Sequence, residues 1–121
     1  MSDKIKILLV DDERDILEVF TDILTDLEYS IEQAIGYDEA IEILDKMKID
    51  LVITDVRMPG KDGIELLKTI RSKNKDIPVL VSSGFTDYKT DEILGLGASA
   101  FLRKPLSFTD LTSAVESALT K

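Results

Sequence analysis

Neither histidine nor cysteine occurs in this chain of 121 residues, and the two absences remove many common chemistries at once. Without histidine there is no Ser-His-Asp triad, no histidine-bearing zinc site and no phosphohistidine carrier within the chain. Without cysteine there is no disulfide framework, which agrees with a cytoplasmic setting. Long apolar runs are also missing. The longest are far too short to span a bilayer, and Met1-Ser2-Asp3-Lys4 opens straight into a charged strand, so neither a membrane association nor a targeting signal is expected. Cations are in the minority, 15 Lys and Arg against 24 Asp and Glu, for a net charge of −9. That balance argues against direct binding to nucleic acid, which relies on clustered Lys and Arg. What remains is carboxylate, hydroxyl and amine chemistry.

The residues that are present describe an ordinary globular chain, 44% apolar and 32% charged, of a length that suits one domain around one core. No internal repeat or linker interrupts it, and the whole of 1–121 reads as a single domain. Short apolar runs predict strands at Ile5–Val10, Ser30–Ala34, Leu51–Thr54, Val79–Ser82 and Ala100–Leu102. Several are β-branched and nearly continuously apolar, as strands covered on both faces should be. The second alternates with Glu32 and Gln33 and fits a sheet edge.

Segments of helical period lie between the strands. Ile16, Phe20, Ile23 and Leu27, with Leu17 and Leu24, form the first apolar stripe. Further helices are expected over Asp38–Met47, Ile64–Ile70 and Thr90–Leu96, and from Ser107, an N-cap with Asp110 at N3. Alternating βα units of this kind form a parallel sheet with helices on both faces.

The strand ends carry the chemistry. The first run ends at Asp11-Asp12-Glu13, the third at Asp55, the fourth at Ser83-Gly84 and the fifth at Lys104-Pro105. In a parallel sheet these ends share one edge, where open α/β sheets bind ligands. Three carboxylates brought together need a cation or a proton, and Mg²⁺ with one carboxylate left for chemistry is the simplest solution. Each group also has a plain local reading. Asp11-Asp12 could cap a helix, Asp55 and Ser83-Gly84 could shape turns, and Lys104 could be a solvated surface residue. For those readings to hold, all four would have to fall on one sheet edge by accident.

In these positions the chain resembles the receiver domain of two-component response regulators. The resemblance rests on Leu8-Leu9-Val10-Asp11-Asp12-Glu13, on Asp50 through Gly60 around Asp55, on Asp62-Gly63, on Ile77 through Gly84, and on Lys104-Pro105. It implies a five-stranded parallel sheet in the flavodoxin-like, doubly wound order 2-1-3-4-5 flanked by five helices, an order the chemotaxis regulator shares. It also implies a site. Asp55 would be the phosphoacceptor, and Asp12, Asp55 and the backbone carbonyl of Arg57 would bind Mg²⁺, with Asp11 holding it through water. Ser83 and Lys104 would meet the phosphoryl oxygens, and Phe101 would follow Ser83 as a switch residue. The Lys104-Pro105 bond would be cis. The partner would be a histidine kinase or phosphotransfer domain, with a transient homodimer allowed.

The resemblance further implies a switch that would catalyse only its own phosphorylation and dephosphorylation and would shift a surface of the fourth and fifth helices and the strand between them. Two other functions are less compatible with the residues. A Mg²⁺ phosphatase of the D-x-D type lacks its second acid, because Arg57 follows Asp55 two positions on. A flavin carrier on this fold needs a phosphate-cradling loop where Asp11-Asp12-Glu13 would repel the phosphate.

Overall fold

In the computed structural model, the two middle strand candidates bury every side chain, and the fold is organised around them. The structure describes residues 4–58, 60–73, 76–84, 89–104 and 106–120. The strands are β1 (Lys6–Val10), β2 (Ser30–Ala34), β3 (Leu51–Asp55), β4 (Val79–Ser83) and β5 (Ala100–Arg103), and the helices are α1 (Arg14–Asp26), α2 (Tyr37–Lys46), α3 (Gly63–Lys73), α4 (Thr90–Gly95) and α5 (Phe108–Leu119). All strand pairs are parallel, and the sheet order is β2-β1-β3-β4-β5, as the resemblance implied.

Alternation along the strands feeds two cores. Leu8, Val10, Val52, Val56, Val79 and Val81 pack under the face that carries α2, α3 and α4. Ile7, Leu9, Leu51, Ile53 and Leu80 pack against Leu17 and Leu24 of α1 and Leu111 and Val115 of α5. The edge strand β2 keeps only Ala34 fully buried.

The helix ends follow local chemistry. Ser107 accepts a hydrogen bond from the Asp110 amide at 2.9 Å, and the Asp110 carboxylate accepts from the Ser107 amide at 3.4 Å, which closes the expected capping box. One expectation needs correcting. The buried line of α1 runs through Leu17 and Leu24, with Phe20 and Ile23 packed beside it, and Leu27 is 41% exposed. Leu27 follows the last helical turn, and the chain then passes through Glu28 at φ 71°, which carries Leu27 off the stripe.

The end of the sheet where the strands begin is tied by Arg71. Its guanidinium donates to the carbonyls of Gly97 at 2.8 Å and Ile77 at 2.6 Å. Gly97 has φ 106°, and a Cβ there would lie 2.9 Å from Arg71 Nε, so both backbone angle and space demand glycine. Among the described residues no helix is long and apolar enough to cross a membrane.

Candidate functional site

On the carboxyl edge β1, β3, β4 and β5 each end by delivering a polar side chain. The β1–β2 ladder continues one step beyond Val10, with the Asp11 amide donating to Ala34 O at 3.1 Å. Asp11 Oδ1 then accepts from the Glu13 amide at 2.9 Å and turns the chain into α1. The capping reading was therefore partly right, since Asp11 shapes the helix entrance while Glu13 occupies the N-cap without a side-chain bond of its own. Asp55 is the last residue of β3, 8% exposed. Ser83 closes β4 and is 3% exposed. Lys104 follows β5 directly, its amide bonded to Ser83 O at 3.0 Å, which sets the hydroxyl and amine residues side by side.

The carboxylates of Asp11, Asp12 and Asp55 offer oxygens that all lie within 4.8 Å of one another. Asp11 and Asp55 are buried and Asp12 is exposed. Lys104 Nζ reaches Asp11 at 2.9 Å, Asp55 at 3.4 Å and Glu13 at 3.9 Å. Burial pushes the Asp55 carboxyl up, Lys104 pulls it down and Asp11 raises it again, leaving it at about 6 against an ordinary 3.8. Burial works to lower the Lys104 ammonium, but the hydrogen bond and charge of Asp11, reinforced by Asp55, outweigh that and raise it. One ammonium thus serves an acid cluster with more negative charge than it can balance. Converging hard oxygen donors of this kind suit Mg²⁺, which takes one or two carboxylates and keeps several waters.

The remaining expected residues lie around this centre. Arg57 is exposed, two residues beyond β3. Phe101 is half-buried on β5, packs against the core under α4, and has the Arg103 guanidinium 5.9 Å from its ring centroid. Pro59 and Pro105, which carry the turn and cis-bond expectations, lie outside the described residues.

Two contacts had no role in the sequence reading. Glu13 reaches Lys104 from the rim, and Lys61 stands 4.8 Å from the centroid of the Tyr37 ring, whose hydroxyl pairs with Thr69 at 2.8 Å. Glu13 was within reach of sequence reasoning as the third acid of its run. Tyr37 and Lys61 are joined only by the packing of α2 beside α3.

Comparison with known proteins agrees with this geometry. The family model described as the response regulator receiver domain matches residues 7–116. A putative two-component response regulator of Arabidopsis thaliana, ARR21, is 37% identical over 96% of this chain, which spans 19% of that protein. The transcriptional regulatory protein ZraR of Escherichia coli is 37% identical over 97% of this chain and 27% of its own length. Among solved structures, a CheY-like receiver domain from Methanospirillum hungatei superposes with TM-score 0.92 at 25% identity, covering 98% of this chain and 95% of that one. TrrA from Thermotoga maritima, solved with Mg²⁺ and BeF, gives TM-score 0.87 at 32% identity, covering 95% of this chain and 99% of that one. With its family match running from the first strand into the last helix, the chain belongs to the response regulator receiver domains of two-component signalling.

Proposed function

We propose that this chain is a single receiver domain over 1–121 that works as a phosphorylation-controlled switch, with Asp55 as phosphoacceptor. The observation that carries this reading is the setting of Asp55, a carboxylate 8% exposed, with Lys104 at 3.4 Å and two further acids within 4.8 Å. The chain has no histidine, so the phosphoryl group comes in trans, from a histidine kinase or phosphotransfer domain. An Asp55 oxygen attacks phosphorus, and the O–P bond forms as the N–P bond of the donor breaks, its electron pair returning to the imidazole. Asp12, Asp55 and the Arg57 carbonyl would hold Mg²⁺ directly and Asp11 through water, and the ion would supply charge neutralisation between carboxylates and phosphoryl oxygens.

Lys104 leaves its pairing with Asp11 and Asp55 to meet one phosphoryl oxygen, and the Ser83 hydroxyl donates to another. The acyl phosphate adds roughly one negative charge, since phosphate esters carry about −1.5 to −2 near neutrality. Drawing Ser83 towards the phosphate opens space for Phe101, and the α4-β5-α5 surface shifts between two states. That surface would act on an output domain, a partner or, transiently, a second copy, in the cytoplasm. The chemistry is limited to the domain's own phosphorylation and dephosphorylation. The first relatives are much longer than this chain, which agrees with a control element joined to a separate output.

Incubation with acetyl phosphate and Mg²⁺ tests the assignment. Wild type should accumulate a labelled form of at most one phosphoryl group per chain, with only slow release of phosphate as that form decays, and Asp55→Asn should take up none. Equal labelling of the Asn variant, or rapid release of phosphate with no labelled form accumulating, as in a phosphatase, would overturn it.

A further inference from the structure

The main chain of Asp55 is gripped from two sides by groups that take no part in the chemistry above. Thr54 is wholly buried, and its Oγ1 donates to the carbonyl oxygen of Asp55 at 3.0 Å. From the helix side, α3 begins hard against the same carbonyl. A Cβ on Gly63 would overlap the Asp55 oxygen outright and stand 3.1 Å from Val56 Cα. The next peptide unit is held as well, with the Val56 amide donating to Ser82 O at 3.0 Å and Val56 O accepting from the Gly63 amide at 2.8 Å. The neighbouring Asp62 keeps α3 in this place, its Oδ1 accepting from the amides of Ile64 and Glu65 at 3.0 Å.

The rotation about the Cα–C bond of Asp55 decides where the chain leading to Arg57 goes relative to the Asp55 carboxylate. Thr54 Oγ1 holds the carbonyl that reports this rotation. We propose that Thr54 is a positioning residue, whose hydroxyl fixes the Asp55 peptide plane and so the angle between the attacking carboxylate and the main chain running to Arg57. The proposal rests on Asp55 being the phosphoacceptor. Phosphoryl transfer depends on alignment of the attacking oxygen, and small misplacements cost rate steeply. The plainer role is that a buried hydroxyl has simply found the nearest acceptor, as nearly all do. Valine separates the two roles, since it keeps the shape of threonine and removes only the donor.

Wild type, Thr54→Val and Thr54→Ser are labelled with acetyl phosphate at saturating Mg²⁺ over a range of donor concentrations, and their melting midpoints are recorded. At saturating donor, Thr54→Val should label about five- to tenfold more slowly, the scale of one neutral hydrogen bond, with all rates measured well below each protein's melting midpoint. Thr54→Ser should stay within about twofold of wild type, because it keeps the hydroxyl. Equal rates for Val and wild type overturn the proposal and leave only the core role. If Val does not fold, Thr54→Ser and Thr54→Ala lose the same methyl and differ only in the hydroxyl. Ala must then be slower than Ser by the same factor, and equal rates again overturn the proposal. A wild type that takes no label sinks the phosphoacceptor assignment and this proposal together, whereas a labelled wild type matched by its variants sinks only the proposal.

Discussion

Arg71 and Lys104 are both drawn partly into the protein, at opposite ends of the same strands, and they are met there in different ways. Arg71 gives its hydrogen bonds to two neutral carbonyls, those of Ile77 and Gly97, which precede β4 and β5. Burial lowers its pKa, and the charge of Asp76 works against that shift. Lys104 faces three carboxylates, with Asp11 the nearest at 2.9 Å. At one end a cation fastens turns that would otherwise part. At the other the acids outnumber the cation, and burial holds Asp55 in a strained state of charge. The first arrangement serves the fold. The second leaves an excess of negative charge that a divalent cation would offset, and such imbalances mark functional sites more often than structural ones.

The comparison can be broken most forcefully at Arg71. Arg71→Leu should cost about 3 kcal/mol, the loss of two charge-assisted hydrogen bonds, read from the urea midpoint. Labelling of Asp55 should be unchanged wherever the variant remains folded. A cost below about 1 kcal/mol, which is what one ordinary hydrogen bond contributes, would show that the guanidinium is not a fastening.

The acidic end should behave in the opposite sense. A carboxyl raised from 3.8 to about 6 in the folded state binds protons there that the unfolded chain has already released. Stability of the metal-free protein should therefore fall as pH rises from about 4 to about 6.5, by about 2 kcal/mol, less than the full 1.36 kcal/mol per unit because solvent reaches the site. Asp55→Asn should flatten this slope and stabilise the protein near pH 7. A wild type and Asn variant with parallel pH profiles would remove the imbalance from the account.

The smallest effect belongs to an exposed cation. Lys73 pairs with Asp45 at 3.6 Å, with the two side chains 55% and 60% exposed. Lys73→Ala should change stability by less than about 0.5 kcal/mol, because solvent screens exposed pairs. A larger loss in the same urea titration would mean that charge pairing matters here even without burial.

Much of this is legible in the sequence. Mostly apolar runs followed by Asp11, Asp55, Ser83 and Lys104 identified the edge, because strands covered on both faces are largely apolar along their length and charged side chains gather where they stop. Ser107 and Asp110 announced the start of α5 through a local bond that needs only a few residues. Other features were hidden. Arg71, in the last turn of an amphipathic helix, looks in sequence like any solvated cation near a helix C-terminus. Its carbonyl partners come from a loop and from a turn 26 residues away. The first stripe was misplaced at Leu27 because helical periodicity does not reveal where the helix stops.

By itself the sequence determined the order of strands and helices, the acids, hydroxyl and amine at the strand ends, and the exclusion of histidine and thiol chemistry. These follow from short-range periodicity and from which side chains exist. Only the tertiary structure decided that Lys104 lies against Asp11 across a separation of 93 residues, that Gly63 touches the Asp55 carbonyl, and that Arg71 closes the far end. Distances between remote segments arise from how the layers pack, and no local pattern records them.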